Sequence, residues 1–250
     1  MKLLLLLLLS VQLPAAYATG TAAKWDFENS ADGFPSALTV TGSPTYVTGA
    51  AKGAYWYKTV PASGAFFSWP ADANSAFSSL NNWAIECYIE KYARAANSWI
   101  WTNAATASGA DATIGCIIGS DTDDNVAVYT GPSGTFLTCS GTAFVNRRLH
   151  LGITAGTWGR EIWVDGALGA SDGTNSAMPA NLLFGKIGTF NTGGVVSAQT
   201  YIDDFRVSNV RRTGFPTVDP VAVTGNPLGY QSVFPGLGPA TWRVFIQGGK

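Results

Sequence analysis

The sequence predicts an all-β domain built as a two-sheet antiparallel sandwich. Three observations carry that reading. A dozen short runs alternate apolar and polar residues, the period of a strand with one buried face. Gly, Pro, Ser and Asn stand between the runs, where turns need them. No segment sustains a helical period. The composition agrees: 29 glycines, 12% aromatic residues and only 12% charged residues suit a turn-rich β protein.

The chain opens on Lys2 and an unbroken run from Leu3 to Leu9, and Ala16-Tyr17-Ala18 closes the apolar stretch. A short apolar run ending in A-x-A reads as a secretory leader, 1–18, cleaved before Thr19. No cysteine stands near the cleavage point, which excludes lipoprotein processing. Removal leaves 232 residues, the size of one large β domain. No later stretch is apolar enough for a membrane-spanning helix. The formal net charge of −1 becomes −2 once Lys2 leaves, a balance with no electrostatic footprint for nucleic acid or anionic lipid.

Candidate strands follow at Lys24–Glu28, Ala54–Lys58, Phe66–Trp69, Trp83–Tyr92, Ser98–Thr102, Thr113–Ile118, Val126–Thr130 and Thr135–Cys139. Then come Arg148–Thr154, Glu161–Val164, Leu182–Ile187 and Tyr201–Ser208. Ala73–Leu80 and Val210–Thr213 each read as one helical turn. Between Leu149 and Val164 the alternation, interrupted by Gly156 and Gly159, describes a hairpin, and Asp165-Gly166 forms a second tight turn. In Tyr201–Ser208 the two-residue step breaks between Ile202 and Phe205, which predicts a bulge at Asp203-Asp204. The last segment, 219–250, is rich in Pro and Gly and ends in Trp242, Val244 and Ile246 at alternate positions. It reads as a C-terminal extension that either docks on its own sandwich or lends a strand to a partner in self-assembly, home docking being preferred.

Four stretches carry a family resemblance. Trp163-Val164-Asp165-Gly166 and Ile202-Asp203-Asp204-Phe205-Arg206-Val207 resemble the laminin-G-like, concanavalin A-like jelly-roll family, in the version found in phage and bacterial surface proteins. Trp25-Asp26-Phe27-Glu28 with Asp32 is similar to that family's opening strand, and Trp83 to Ile89 to its central inward-facing strand. The resemblance runs from Ala23 to Val218, so the domain is set at 19–218. It implies an antiparallel jelly-roll sandwich and leaves activity open, because function belongs to sites grafted on a fold.

Carboxylates, cysteines and aromatic residues bound the chemistry. The laminarinase-like enzymes of this fold carry a Glu-x-Asp-x-Glu strand. The four glutamates here are Glu28, Glu86, Glu90 and Glu161. Glu86 and Glu90 share a strand face with Tyr88 between them, roughly 13 Å apart along the strand, whereas a retaining pair needs about 5 Å. Glu161 and Asp165 are separated by Trp163. His150, the only histidine, lies between Leu149 and Leu151 and so projects from the less apolar face. No G-x-S-x-G elbow accompanies it. Asp121, Asp123 and Asn125 form the densest oxygen cluster and are the candidate Ca²⁺ ligands. The alternative is a solvated hairpin turn, favoured because Val126 stands where a calcium loop wants Gly. Asp203 and Asp204 are a second Ca²⁺ candidate, against which the reading as side chains that bond turn backbones beside the first strand is preferred; no other cofactor is indicated. The three cysteines, Cys87, Cys116 and Cys139, suit one disulfide and one spare thiol in a secreted chain. Cys116 and Cys139 are the pair chosen, on condition that their strands are neighbours; three buried thiols are the alternative. Trp99 and Trp101, two residues apart, share a sheet face and are the candidate ligand-stacking pair, weighed against core packing. The function expected is a secreted, non-enzymatic, lectin-like module that binds a glycan or a surface protein. A structural role in a virion or extracellular assembly is the alternative, and a glycoside hydrolase the least favoured.

Overall fold

The computed structural model describes residues 20–50, 52–59, 65–91, 98–104, 112–118, 125–130, 135–139, 148–178, 182–189 and 200–216. The leader, Asp121, Asp123 and the extension 219–250 lie outside the described residues.

Among them the chain is nearly all strand: β1 (Thr21–Trp25), β2 (Gly33–Phe34), β3 (Thr39–Thr41), β4 (Thr45–Thr48), β5 (Tyr55–Lys58) and β6 (Phe66–Ser68) come first. A helix, α1 (Ala71–Phe77), is followed by β7 (Asn82–Lys91), β8 (Ser98–Ala104), β9 (Ala112–Ile118), β10 (Val126–Thr130) and β11 (Thr135–Cys139). Then come β12 (Arg148–Gly156), β13 (Gly159–Val164), β14 (Ala167–Asp172), β15 (Lys186–Ile187) and β16 (Thr200–Ser208). Every candidate strand is present, most with shifted ends. The short strands β2, β3, β4 and β14 have too few alternating residues to be visible in sequence. The second anticipated helical turn is absent: residues 211–216 are irregular.

The strands form two antiparallel sheets. One runs β14-β13-β12-β7-β16-β1-β2, with β5 also on β16 and β4 on β5; the other runs β11-β10-β9-β8-β15-β6-β3. The hairpin anticipated at Gly156 and Gly159 is there, with those two glycines as its last ladder pair. Asp165 and Gly166 both have positive φ and join Val164 to Ala167, the two-residue turn whose twist matches the strands it connects.

Alternation places Trp83, Ile85, Cys87 and Ile89 of β7 with Leu149, Leu151 and Ile153 of β12 on the inner face, all within the buried core. Large rings fill the gap between the sheets. Trp83 meets Trp101 edge-on at 6.2 Å and Phe77 of α1 at 5.8 Å. Asn74 ties the helix in: its Nδ2 donates to the carbonyls of Trp69 and Pro70, and its Oδ1 accepts from the Gly185 amide.

One charged side chain crosses the core edge. Arg160 on β13 is 1% exposed. It donates to both oxygens of Asp172 on β14, at 2.7 and 3.1 Å, and reaches the opposite sheet at Thr130 Oγ1 (2.7 Å) and the Thr135 carbonyl (2.9 Å). Arg160 holds the Asp172 carboxyl below its ordinary value. Each of its three nitrogens thereby has a partner, the condition on which a buried guanidinium is tolerated.

The Cys116–Cys139 disulfide is not formed; all three cysteines are free and buried. β10 lies between their strands: Cys116 is opposite Val128 on one side, and Cys139 opposite Val126 on the other. Two strand spacings separate their backbones by about 10 Å, beyond the roughly 7 Å that a disulfide spans. Burial pushes the Cys87 and Cys116 thiols well up, so both are inert.

Two outcomes follow. Alkylation in denaturant without reductant should add three groups per chain; a single addition would reveal a bridge. Arg160→Ala should lower the free energy of unfolding by about 3–5 kcal/mol in urea titrations, because it strips partners from both sheets at once.

Candidate functional site

Strand β16 has two different neighbours on one of its sides. Tyr201 and Ile202 pair with Lys58 and Tyr57 of β5, while Phe205, Arg206 and Val207 pair with Trp25, Lys24 and Ala23 of β1. On the other side β7 runs its whole length, with an irregularity between Asp203 and Arg206. This is the bulge anticipated at Asp203-Asp204, and it falls where the sheet splits between β5 and β1. Asp204 adopts positive φ there, as do Phe27 and Asn29 just beyond β1.

The split opens a cleft of about 280 Å³ lined by Lys24, Asp26, Glu28, Lys52, Gly53, Asp203 and Asp204. Side chains replace the missing ladder. Asp203 Oδ2 accepts the Lys52 amide at 2.8 Å and its Oδ1 the Asp204 amide at 2.7 Å. Both Glu28 oxygens accept the Ala54 amide, at 2.9 and 3.1 Å. Gly53, at φ +69°, leaves no room for a side chain: a Cβ would lie 1.6 Å from Glu28 Oε1. The Lys24 and Lys52 ammoniums flank Asp204 at 2.8 and 2.9 Å, and Lys24 also bonds Asp26.

These environments drive the two aspartates apart. Burial pushes the Asp203 carboxyl up to about 7, against the two amides it accepts, and the nearby Asp204 and Glu28 charges add to the rise. For Asp204, burial raises the pKa, but bonds from Lys24 and Lys52 outweigh it and lower the carboxyl to about 2. The lysines occupy the positions a bound cation would take. Among the described residues no group of three or more His, Cys, Asp and Glu is disposed to hold a metal ion. Of the anticipated calcium ligands only Asn125 is described, half-buried before β10. Sequence reading missed Glu28, Lys52 and Gly53 in this cleft; the resemblance of Trp25 to Glu28 to an opening strand marked one wall without its partner.

The outer face of the same sheet carries a second polar group. His150 projects from this face, as its alternation predicts, but is covered: it is 2% exposed, with Nε2 3.4 Å from Glu86 Oε2. Glu86 Oε1 takes Arg206 at 3.1 Å and also Arg212. Burial raises the Glu86 carboxyl, and the bond to His150 with the Arg212 and Arg206 charges more than reverses it, leaving it below its ordinary value. Residues 209–216 cross this face as a strap. Arg211 stacks 3.6 Å over the Trp158 ring and bonds Glu161 at 2.8 Å. Phe215 sits on Gly152, whose missing side chain makes the room: a Cβ there would lie 2.6 Å from the ring. Its ring lies 6.0 Å from His150 and 5.9 Å from Trp163. The pull of Arg211 and Arg212 toward sheet partners accounts for the missing helical turn.

The two candidate stacking tryptophans are not side by side. A register shift lies between Trp99 and Trp101, so the two-residue alternation fails. Trp101 is wholly buried in the core, which removes it from any ligand surface. Trp99 is half-buried and packs against Gly115.

No family model matches the chain, and no curated protein matches it. Solved structures do. Domain 4 of AbnA, a GH43 extracellular arabinanase from Geobacillus stearothermophilus, in complex with arabinotriose, is similar at TM-score 0.59 and 13% identity, over 76% of this chain and 93% of that domain. Trypanosoma rangeli sialidase bound to the inhibitor DANA matches at TM-score 0.58 and 12% identity, over 78% of this chain. The binding domain of botulinum neurotoxin DC in complex with SialylT matches at 0.57 and 12% identity, also over 78%. The chain spans 32% of the sialidase and 49% of the neurotoxin domain. The likeness shows the fold, a β-sandwich of the broad jelly-roll kind. Among the described residues no helix is long and apolar enough to cross a membrane.

The cleft generates a pH expectation. A carboxyl raised on folding favours the folded state while it is protonated. Asp203 therefore stabilises below about pH 4, and that contribution is lost as pH rises to about 7. Asp203→Asn should flatten the melting temperature across this window relative to the parent; an unchanged pH profile would refute the assignment.

Proposed function

We propose that this chain is a secreted, non-enzymatic recognition module of lectin-like kind, whose partner is a glycan or a glycan-bearing surface protein. The observation that carries the reading is the state of the glutamates. Glu28 is spent on the Ala54 amide, Glu86 on two arginines and His150, Glu90 on Arg148 at 3.4 Å, and Glu161 on Arg211 and the Trp163 indole. A glycosidase acid needs a carboxyl with a raised pKa beside a second carboxylate. Among the described residues, Asp203, raised to about 7, is consumed in holding backbone amides, and Asp26, also raised by burial, is bonded to Lys24.

The shared sandwich fold supports the recognition reading, since it extends over nearly the whole of an arabinanase domain whose structure is a complex with arabinotriose. The A-x-A leader supports secretion, and the Trp163–Gly166 and Ile202–Val207 segments support the laminin-G-like branch within the jelly-roll fold. The low charge suits a neutral partner better than a polyanion. Binding on this reading needs no cofactor.

The mature chain from Thr19, applied to a glycan array, should bind at least one glycan class and release no reducing sugar from laminarin. Binding to none would overturn the reading. So would turnover on laminarin that disappears in Glu86→Gln or Glu161→Gln.

A further inference from the structure

We propose that Trp99, Tyr129 and Phe136 form a stacking platform for a neutral sugar ring on the outer face of the seven-stranded sheet. The inference rests on the glycan-recognition reading and names its site and ligand class.

The register builds the platform. Strands β8, β9, β10 and β11 lie side by side in that order. Gly115 of β9 is the ladder partner of Tyr129 on β10, and Tyr129 is the partner of Phe136 on β11. Val126, Val128, Leu137 and Cys139 belong to the core, so alternation turns Tyr129 and Phe136 outward. Their ring centroids are 5.1 Å apart. On the other side, Trp99 of β8 leans into the space over Gly115: a Cβ at Gly115 would lie 2.6 Å from its ring. On β8 the ladder partner of Gly115 is Thr102, and Trp99, opposite Ile117, reaches across diagonally; one indole and two phenyl rings thus gather on one face of four adjacent strands, with a glycine where a further side chain would interrupt them. Gly115 to Phe136 covers two strand spacings, about 10 Å, the span of a short oligosaccharide.

Exposure and charge select the occupant. Phe136 is 50% exposed, and Tyr129 and Trp99 are half-buried. A single exposed apolar residue means little, but three grouped on one face are not scatter. At 150–250 Å² for each whole aromatic side chain, the open part of the row offers on the order of 200 Å², far below the roughly 800 Å² per partner that a stable protein interface needs. Thr138, two residues along β11 from Phe136, is exposed and uncharged, and no charge stands among Trp99, Gly115, Tyr129 and Phe136; the nearest one along the ladder, Lys186 of β15 beyond Thr102, lies over the Phe66 ring at 4.9 Å. An aromatic face without charge matches the apolar C–H face of a neutral sugar, which needs dispersion contact and no counter-ion.

Affinity electrophoresis of the full mature chain tests this. The gels contain arabinan, xylan, galactomannan or laminarin, with polygalacturonic acid as the acidic probe. At least one neutral polysaccharide should retard the parent. Phe136→Ala and Trp99→Ala should each weaken that binding at least tenfold, Phe136→Trp should restore it, and Val40→Ala, at an exposed site elsewhere, should leave it unchanged. Phe136 is exposed enough that its variant folds, whatever becomes of Trp99→Ala. Retardation of the parent with Phe136→Ala and Tyr129→Ala both unaffected would overturn the platform and leave the glycan reading standing. Retardation by polygalacturonic acid alone would overturn the neutral ligand. Retardation by none would overturn both.

Discussion

The structure depends on the closing of one slot. β16 enters the sheet late in the chain, between β7 and the strands β1 and β5 formed near its start. Until it arrives, the inner faces of β1 and β7 have no neighbour on that side, and Trp25 has no Phe205 to pack against at 6.1 Å. Long-range pairing of this kind must bear its loop-closure entropy before contacts repay it. A second constraint compounds the first. β16 has to satisfy β5 along one half and β1 along the other, and two short strands do not meet end to end without a gap. At the gap, Asp203 and Glu28 supply acceptors to the Lys52, Asp204 and Ala54 amides, which lack ladder carbonyls. Unsatisfied amides in that position would each cost about 1–3 kcal/mol. The burial of Asp203, with the raised carboxyl that follows, is the consequence of filling the gap this way. The cleft that looks most like an active site is therefore a repair in the sheet.

The strap over the outer face is continuous with that closing strand. Once β16 is seated, residues 209–216 leave its end and fold back across β7, β12 and β13. Arg212 and Arg206 place two positive charges on Glu86, with His150 beneath Phe215. Breaking such a cluster by removing Glu86 alone would leave the guanidiniums facing one another, a heavier penalty than the cluster's own net stabilisation. The cluster thus fixes where the strap lies more than it adds to stability, and Gly152 sets how closely Phe215 can approach.

Much of the fold was legible because strand alternation is a local signal. The core faces of β12 and β13 read directly from Leu149 and Ile162 and their neighbours at two-residue steps, the bulge at Asp203-Asp204 read from the broken step between Ile202 and Phe205, and the inward face of β7 came from the resemblance of Trp83 to Ile89 to an inward-facing strand. What failed was information about which strand lies beside which. The Cys116–Cys139 pairing assumed that β9 and β11 are neighbours, when β10 separates them. The Trp99–Trp101 pair assumed an unbroken two-residue period, and a bulge turns Trp101 into the core while Trp99 stays outside. The cleft joins Glu28, Lys52 and Asp203 from three distant segments, and nothing local to any of them announces the others. His150 was assigned to the correct face from its alternation with Leu149 and Leu151. Its burial could not be seen, since the strap that covers it comes sixty residues later.

The two outer faces of the sandwich are used in opposite ways, and the contrast bears on function. The outer face of the nine-stranded sheet is polar, charged and roofed by the strap; its glutamates and arginines are engaged with one another. The outer face of the seven-stranded sheet groups Trp99, Tyr129 and Phe136 on adjacent strands, with Lys186 farther along it over the Phe66 ring and Phe136 half open to solvent. Hydrolysis of a glycan would need a carboxylate poised with spare bonding capacity, and each of the four glutamates is bonded to another group of the scaffold. A protein that only grips a glycan needs a rigid apolar surface, and rings held on adjacent strands of a ladder are about as rigid as side chains become.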